Sequence, residues 1–469
     1  MNMLVLSVIG FVVLMLVVGI IVSKKVNDAE DFFVGGRQVP AFLIIATLLA
    51  SEVGGGVMLG SVGLAYSHGW GAVWYVAPVS AGLILFGIFM SRRLKRDADE
   101  KGYQSMFDWL AGRFENYKPL RAVGGTVMLI GFIGALASQF VAMGTALTSV
   151  TNLSMSAAIF IGGAVIVLYS TMGGLLSVMW TDLLQACVFL FGMIVLMPML
   201  LSRPEVGGFS GLAASVPDSF FDVWNVNTGQ WRLTTLVTMS IAPFVRQYYY
   251  QRMFAARTPA VAQGSIFAQA VLVLVITAWT CVVGMCTYLI NPNLENPESA
   301  MPWVLSTVLP PVVAAILLGA ITACVMSTAD TFVNSASLTF VRDVYGAIAG
   351  ELDGKKALKL ARVSSLAIGA LALVIALFSS SVISAIMNAW AILGGGLFVP
   401  MIVSYFWKKA RKEGVIASMA GGLLMTLALT LLKTRVPAII GGVLVSFLLL
   451  VTVSIWVDKT RSVSQKKVG

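Results

Sequence analysis

Ala50-Ser51-Glu52-Val53-Gly54-Gly55-Gly56 interrupts an apolar run, 39–65, that is otherwise long enough to cross a bilayer as one helix. Three consecutive glycines beside the one charge of the run weaken the hydrogen-bonded ladder of a helix. Unpaired backbone inside a membrane is tolerated only where protein or a water-filled cavity covers it. The stretch therefore reads as a helix broken on purpose, or as a surface where helices pack closely. Glu52 among the glycines is hard to explain by packing alone.

A second run, 233–251, is weakly apolar and carries Pro243 ahead of Arg246-Gln247-Tyr248-Tyr249-Tyr250. Proline removes a helical N–H and clashes with the preceding turn, so a break is expected at Met239–Phe244. The second broken run is the fifth span after the first, with four apolar runs between them, which makes the two antiparallel. Two five-span halves, each opening on a broken helix, form an inverted repeat, and such matched interruptions point to a shared central binding site.

The remaining sequence agrees with this layout. Of 469 residues 58% are hydrophobic and 11% charged, against about 25% charged in ordinary soluble domains. Thirteen spans are predicted, at 3–22, 39–65, 71–91, 122–149, 155–172, 179–201, 233–251, 265–290, 311–336, 361–379, 382–406, 414–432 and 437–457. The chain thus reads as one domain, 1–469. An extra helix at 3–22 precedes repeats at 39–201 and 233–406, and two extra helices follow within 414–457. With the N-terminus outside, all the Lys and Arg residues except Arg203, Arg232, Lys433 and Arg435 fall in cytoplasmic segments. The net charge of +10 then records topology by the positive-inside rule and implies no nucleic-acid partner. No basic residue precedes the first span and Lys24-Lys25 follow it, the reverse of a cleavable secretory signal. Cys187, Cys281, Cys286 and Cys324 lie within spans, which reads as packing and not as a disulfide framework. His68, the only histidine, belongs to an outer turn and cannot build a metal site alone.

Ala323-Cys324-Val325-Met326-Ser327-Thr328-Ala329-Asp330-Thr331 places two adjacent hydroxyls and a carboxylate inside an apolar span. A carboxylate at the bilayer centre costs about 2.5–3.5 kcal/mol on insertion scales. Oxygen ligands of this kind suit a small hard cation such as Na+. Alternatively the hydroxyls bond back to carbonyls of their own helix.

Four segments in matching order and spacing resemble the sodium/solute symporter family, over about residues 25–415. They are Asp31-Phe32-Phe33-Val34-Gly35-Gly36-Arg37, Gly173-Gly174-Leu175-Leu176-Ser177-Val178-Met179-Trp180-Thr181-Asp182-Leu183-Leu184-Gln185, Gln251-Arg252-Met253-Phe254-Ala255-Ala256-Arg257, and Met326–Asp330 running to Arg342-Asp343-Val344-Tyr345. The resemblance implies an all-α, LeuT-like five-plus-five inverted repeat with one helix before it and two after, the number reached from hydropathy. It implies a first Na+ site from the carbonyls of Ala50, Val53 and Cys324 with the hydroxyls of Ser327 and Thr328. Some members carry a second site, which would here use Asp182, Asp330 and Thr331. Asp330 departs from the two-hydroxyl version, and two acids so close need a cation or a proton between them. Asp182 could instead cap the start of its helix, and Asp330 could make a structural hydrogen bond.

Candidate solute contacts are Glu52, Tyr75, Gln139 and Met239. Glu52 could meet an amine, take up a proton, or cap the broken helix; Tyr75 and Gln139 could equally be packing residues. The apolar second break disfavours a sugar and suits a compact amino acid, amine or carboxylate. The expected function is Na+-coupled symport of a small organic solute in the plasma membrane, a bacterial inner membrane by this reading, by a protein acting as a monomer among lipid. A proton-coupled symporter of the same fold and a transporter-derived sensor are the alternatives. A channel would need a ring of repeated ligands along a pore. A membrane enzyme would need a nucleophile or Cys/His cluster that the sequence does not offer, so no enzymatic activity is expected.

Overall fold

The computed structural model describes residues 33–468 except 150, 172–173, 227, 351, 353, 380 and 433, together with parts of 10–21. The span expected at 3–22 and the loop charges Lys24, Lys25 and Asp31 lie largely or wholly outside the described residues. Everything described is helical apart from connecting turns. Nine helices among the described residues are long and apolar enough to cross a membrane, and Ala41–Glu52 and Met155–Leu168 are shorter apolar helices. Exposed Phe160, Phe191, Ile194, Leu371, Phe447 and Leu448 give these helices an apolar outer surface, as lipid requires.

Both expected interruptions exist. The first helix runs Ala41–Glu52, turns out of helical geometry at Val53 (φ −87°, ψ 64°), and resumes through a π-helical stretch, Gly56–Ser61, into Val62–His68. The glycines serve both readings offered by the sequence. A Cβ on Gly54 would stand 2.5 Å from the Thr328 hydroxyl, and one on Gly55 would stand 2.1 Å from the Ala142 Cβ. The helix breaks there, and its neighbours close on the bare backbone.

The second interruption falls later than expected. Pro243 lies inside the helix Gly229–Val245, and the chain breaks at Arg246 (φ −100°, ψ 116°) before Gln247–Ala255 begins. A proline disturbs the turn on its N-terminal side yet leaves the residues after it free to continue. The break is therefore charged, not apolar, and Arg246 and Arg252 are 2% and 0% exposed. Reading them as cytoplasmic loop charges was wrong: both are drawn inside by acidic and hydroxyl partners.

The two broken helices are joined at their far ends. The Val39 N–H donates to the Ala255 carbonyl at 3.0 Å and the Arg257 N–H to the Val39 carbonyl at 2.9 Å. The Gln251 amide donates to the Phe33 carbonyl at 2.7 Å and to Asn334 Oδ1 at 2.9 Å. One side chain thus ties the loop before the first broken helix to the long helix Pro311–Leu338. At the opposite end Glu298 accepts from the Ser381 hydroxyl (2.8 Å) and from the Val382 and Ile383 N–H groups (3.0 and 3.2 Å). A carboxylate on the first N–H groups of Val382–Phe406 satisfies donors that no helix can satisfy itself.

Candidate functional site

Pro311–Leu338 is buried almost throughout its second half and packs against the first broken helix, so its hydroxyls face the break. Thr328 Oγ1 donates to the Ala50 carbonyl at 3.1 Å. Val53 and Cys324 are buried beside them, 1% and 2% exposed. The Ser327 hydroxyl donates to Asp182 Oδ1. Neither hydroxyl bonds back to its own helix in the contacts seen here. Of the residues expected to form the first cation site, Thr328 thus meets the break at Ala50, while Ser327 turns to Asp182.

Asp182 stands inside the helix Leu175–Leu201, whose N-cap is Gly174, so it does not cap that helix. Its Oδ2 accepts from Thr47 Oγ1 at 2.5 Å. The surprise is Arg252, whose Nη2 lies 3.9 Å from Asp182 and donates to Thr331 (2.8 Å), Ser51 (3.1 Å) and Thr47 (3.1 Å). Ser51 and Thr331 share a further hydrogen bond at 2.8 Å. A guanidinium thus stands among the groups expected around a second Na+. Asp330 is on the same helix, 3% exposed, and none of these contacts involves it.

Beyond the first break lies a tight cavity of about 30 Å³ whose walls include Glu52, Tyr75, Gln139 and Met239, all four candidate solute contacts. Gln139 Oε1 accepts from the Gly55 N–H at 2.9 Å, so it caps the half of the broken helix that follows the break. Glu52 is not available in the way the sequence suggested. Arg246 Nη1 donates to both its oxygens (3.1 and 3.0 Å), and the Tyr248 and Tyr249 hydroxyls donate to Oε2 (3.1 and 2.9 Å). The carboxylate is held by a fixed cation and two phenols, which leaves little for a solute amine. With Arg246 and Tyr248 also in its wall, the cavity is more polar than an apolar second break implied.

Arg246 and Arg252 are what the sequence reading missed. Both stood within quoted segments, and the signal was the tyrosine run between them: three buried aromatics around two cations cannot be a solvated loop. Buried charges persist only when paired and hydrogen-bonded, and each arginine has a carboxylate from elsewhere in the chain.

Residues 32–422 match the model of the sodium:solute symporter family. The chain belongs to that family. The symporter is 25% identical over 421 residues to the high-affinity proline transporter PutP of Bacillus subtilis, covering 87% of this chain and 88% of that one. It is 25% identical over 446 residues to the human high affinity choline transporter 1, covering 90% and 75%. In fold it is similar to a Na+-coupled sialic acid symporter in a substrate-bound outward-open state, with a TM-score of 0.81 at 19% identity and 97% and 98% coverage. The symporter is thus an integral membrane protein that couples Na+ to the movement of a small organic solute.

Proposed function

We propose that this symporter couples one Na+ to inward movement of its solute by alternating access, with the ion held between the first broken helix and Pro311–Leu338. The observation that carries this is the convergence of the Ala50 carbonyl with the Thr328 hydroxyl at the break, 3.1 Å apart. A Na+ entering between them replaces that hydrogen bond with two ion–oxygen contacts, and the Val53 and Cys324 carbonyls and the Ser327 hydroxyl complete the shell. Partial charges suffice to stand in for hydration water.

A second coupled ion finds less support. Asp182 already has Arg252 at 3.9 Å, and Thr331 donates or accepts within the same network. Coupling to protons, the alternative kept from the sequence, would need a carboxylate able to exchange its partner, and Asp182 through Ser327 is the one in contact with the ion site.

The wider layout belongs to the same reading: thirteen spans, an inverted five-plus-five repeat, the N-terminus outside, and a plasma membrane, bacterial inner membrane by charge distribution. Purified protein in liposomes tests it. An inward Na+ gradient should drive uptake of a solute such as L-proline or choline, the cargoes named for its relatives, or of a compact analogue. Accumulation that persists with K+ in place of Na+ would reject Na+ coupling.

A further inference from the structure

We propose that the solute carries a carboxylate, bound by the free edge of Arg246 in the cavity beside the first break; this rests on the symport reading above. Of the three guanidinium nitrogens, only one is engaged by oxygen acceptors. Nη1 serves Glu52 and Tyr248. Nη2 meets only the Met239 sulfur, at 4.0 Å, and Nε is buried with no hydrogen-bond partner among the described residues. An unmade hydrogen bond on a buried charged group is costly, so such an edge stands open to an acceptor. Arg246 and Met239 both line the cavity, and the guanidinium lies 4.0 Å over the Trp390 ring, which fixes its plane. Nε and Nη2 form the fork that matches the two oxygens of a carboxylate.

A second donor converges on the same space. Tyr75 lines the cavity, is 2% exposed, and makes no hydrogen bond to a described residue; its hydroxyl would stand 2.7 Å from a Cβ placed on Gly56. Val57, Val76, Val79, Phe332 and Ile386 add apolar surface to a wall that also holds Ser51, Gln139 and Thr328. That combination suits a compact acid with an apolar body.

Charge balance separates this from a cationic cargo. Glu52 already neutralises Arg246, so an anionic group arriving with Na+ adds a neutral pair to a closed space. A quaternary ammonium arriving with Na+ would add two positive charges beside a guanidinium. Glu52 is committed to Arg246, Tyr248 and Tyr249, so it offers such a cation little compensation, whereas the open guanidinium edge offers it none. The open donor edge thus favours an anionic group over the quaternary ammonium carried by the choline relatives.

Thermal-shift and ²²Na+ binding measurements on the purified protein test the assignment. The probes are acetate, L-lactate, pyruvate, L-alanine and L-proline, each beside its carboxamide, with choline as the cationic control. The expected result is a Na+-dependent rise in melting temperature with at least one acid and none with its amide or with choline. Arg246→Lys keeps the charge and the partner of Glu52 but loses the fork, and should weaken that acid tenfold or more while ²²Na+ still binds. The double variant E52Q/R246Q, which removes both charges together, should fold and lose the acid response. Equal stabilisation by the amide, a response to choline, an unchanged response in R246K, or no response to any acid would each overturn the proposal. Absence of ²²Na+ binding by the wild-type protein would instead reject the symport reading on which it rests.

Discussion

Arg252 and Asp182 face each other across 3.9 Å in the interior of the protein, both with no solvent exposure. The pair joins the second broken helix to Leu175–Leu201, while the same guanidinium holds Thr47 and Ser51 of the first broken helix and Thr331 of Pro311–Leu338. Removing one member strands the other. Arg252→Ala should destabilise the protein by about 3–5 kcal/mol, the usual effect of orphaning a buried charge. The double variant R252Q/D182N should lose clearly less than the sum of the single changes. Thermal denaturation of all three in detergent checks the pair.

With that guanidinium in place, Na+ dependence of uptake should be hyperbolic and not sigmoidal. A sigmoidal curve that becomes hyperbolic in Asp182→Ala would show a second coupled ion at Asp182, against the one-ion proposal. Initial rates across a Na+ titration decide between them.

Thr328→Ala removes one hydroxyl ligand and the hydrogen bond to Ala50 while leaving the helix intact. The concentration of Na+ giving half-maximal binding should rise about tenfold, corresponding to roughly 1.4 kcal/mol for a bond to a charged partner. Thr328→Ser, which keeps the oxygen, should stay close to wild type. Direct ²²Na+ binding reads both, and an unchanged T328A would place the ion elsewhere.

Glu298 holds the N-terminus of Val382–Phe406 from a connecting loop, and that loop presses its Pro297 carbonyl within 2.6 Å of where a Cβ on Gly63 would be. Glu298→Ala should lower stability by about 1.5–3 kcal/mol, as expected for a charge-assisted cap. Glu298→Gln, which keeps an acceptor, should recover part of it. Melting temperatures of the two variants, compared at fixed detergent and Na+, check the order.

Gly55→Ala would drive a methyl to 2.1 Å from the Ala142 Cβ. We expect a loss of about 1–3 kcal/mol from overpacking, relieved in the double variant G55A/A142G. A double-mutant cycle on melting temperature measures the relief.

Much of this was legible before any coordinates. The glycine run marked the first break because a backbone without side chains has few uses inside an apolar helix. Thr328 drew notice because a hydroxyl inside an apolar span needs a polar partner, and its partner is the Ala50 carbonyl at the break. The second break was misplaced because proline announces a weak turn without saying which residue yields. Arg246 was the one that did, pulled out of helical geometry with its side chain committed to Glu52. Arg252 was invisible for a related reason: a basic residue near a span end normally counts toward topology. Only long-range pairing with Asp182, 70 positions earlier in the chain, turns it into an interior group.

The glycines at 54–56 also set a limit on how this protein can be made sturdier. A common route to a more robust membrane protein is to replace helix glycines with alanine, which reduces the freedom of the unfolded chain. Here the three positions abut Thr328, Ala142 and the Tyr75 hydroxyl at 2.5, 2.1 and 2.7 Å from any added carbon. Each such change would push apart Thr328, Ala142 or Tyr75 and the backbone of the break. Stabilising substitutions belong instead at sites such as Gly10, Gly264 or Gly354, where an added carbon meets nothing. The segment that looks softest on paper is the one an engineer must leave alone.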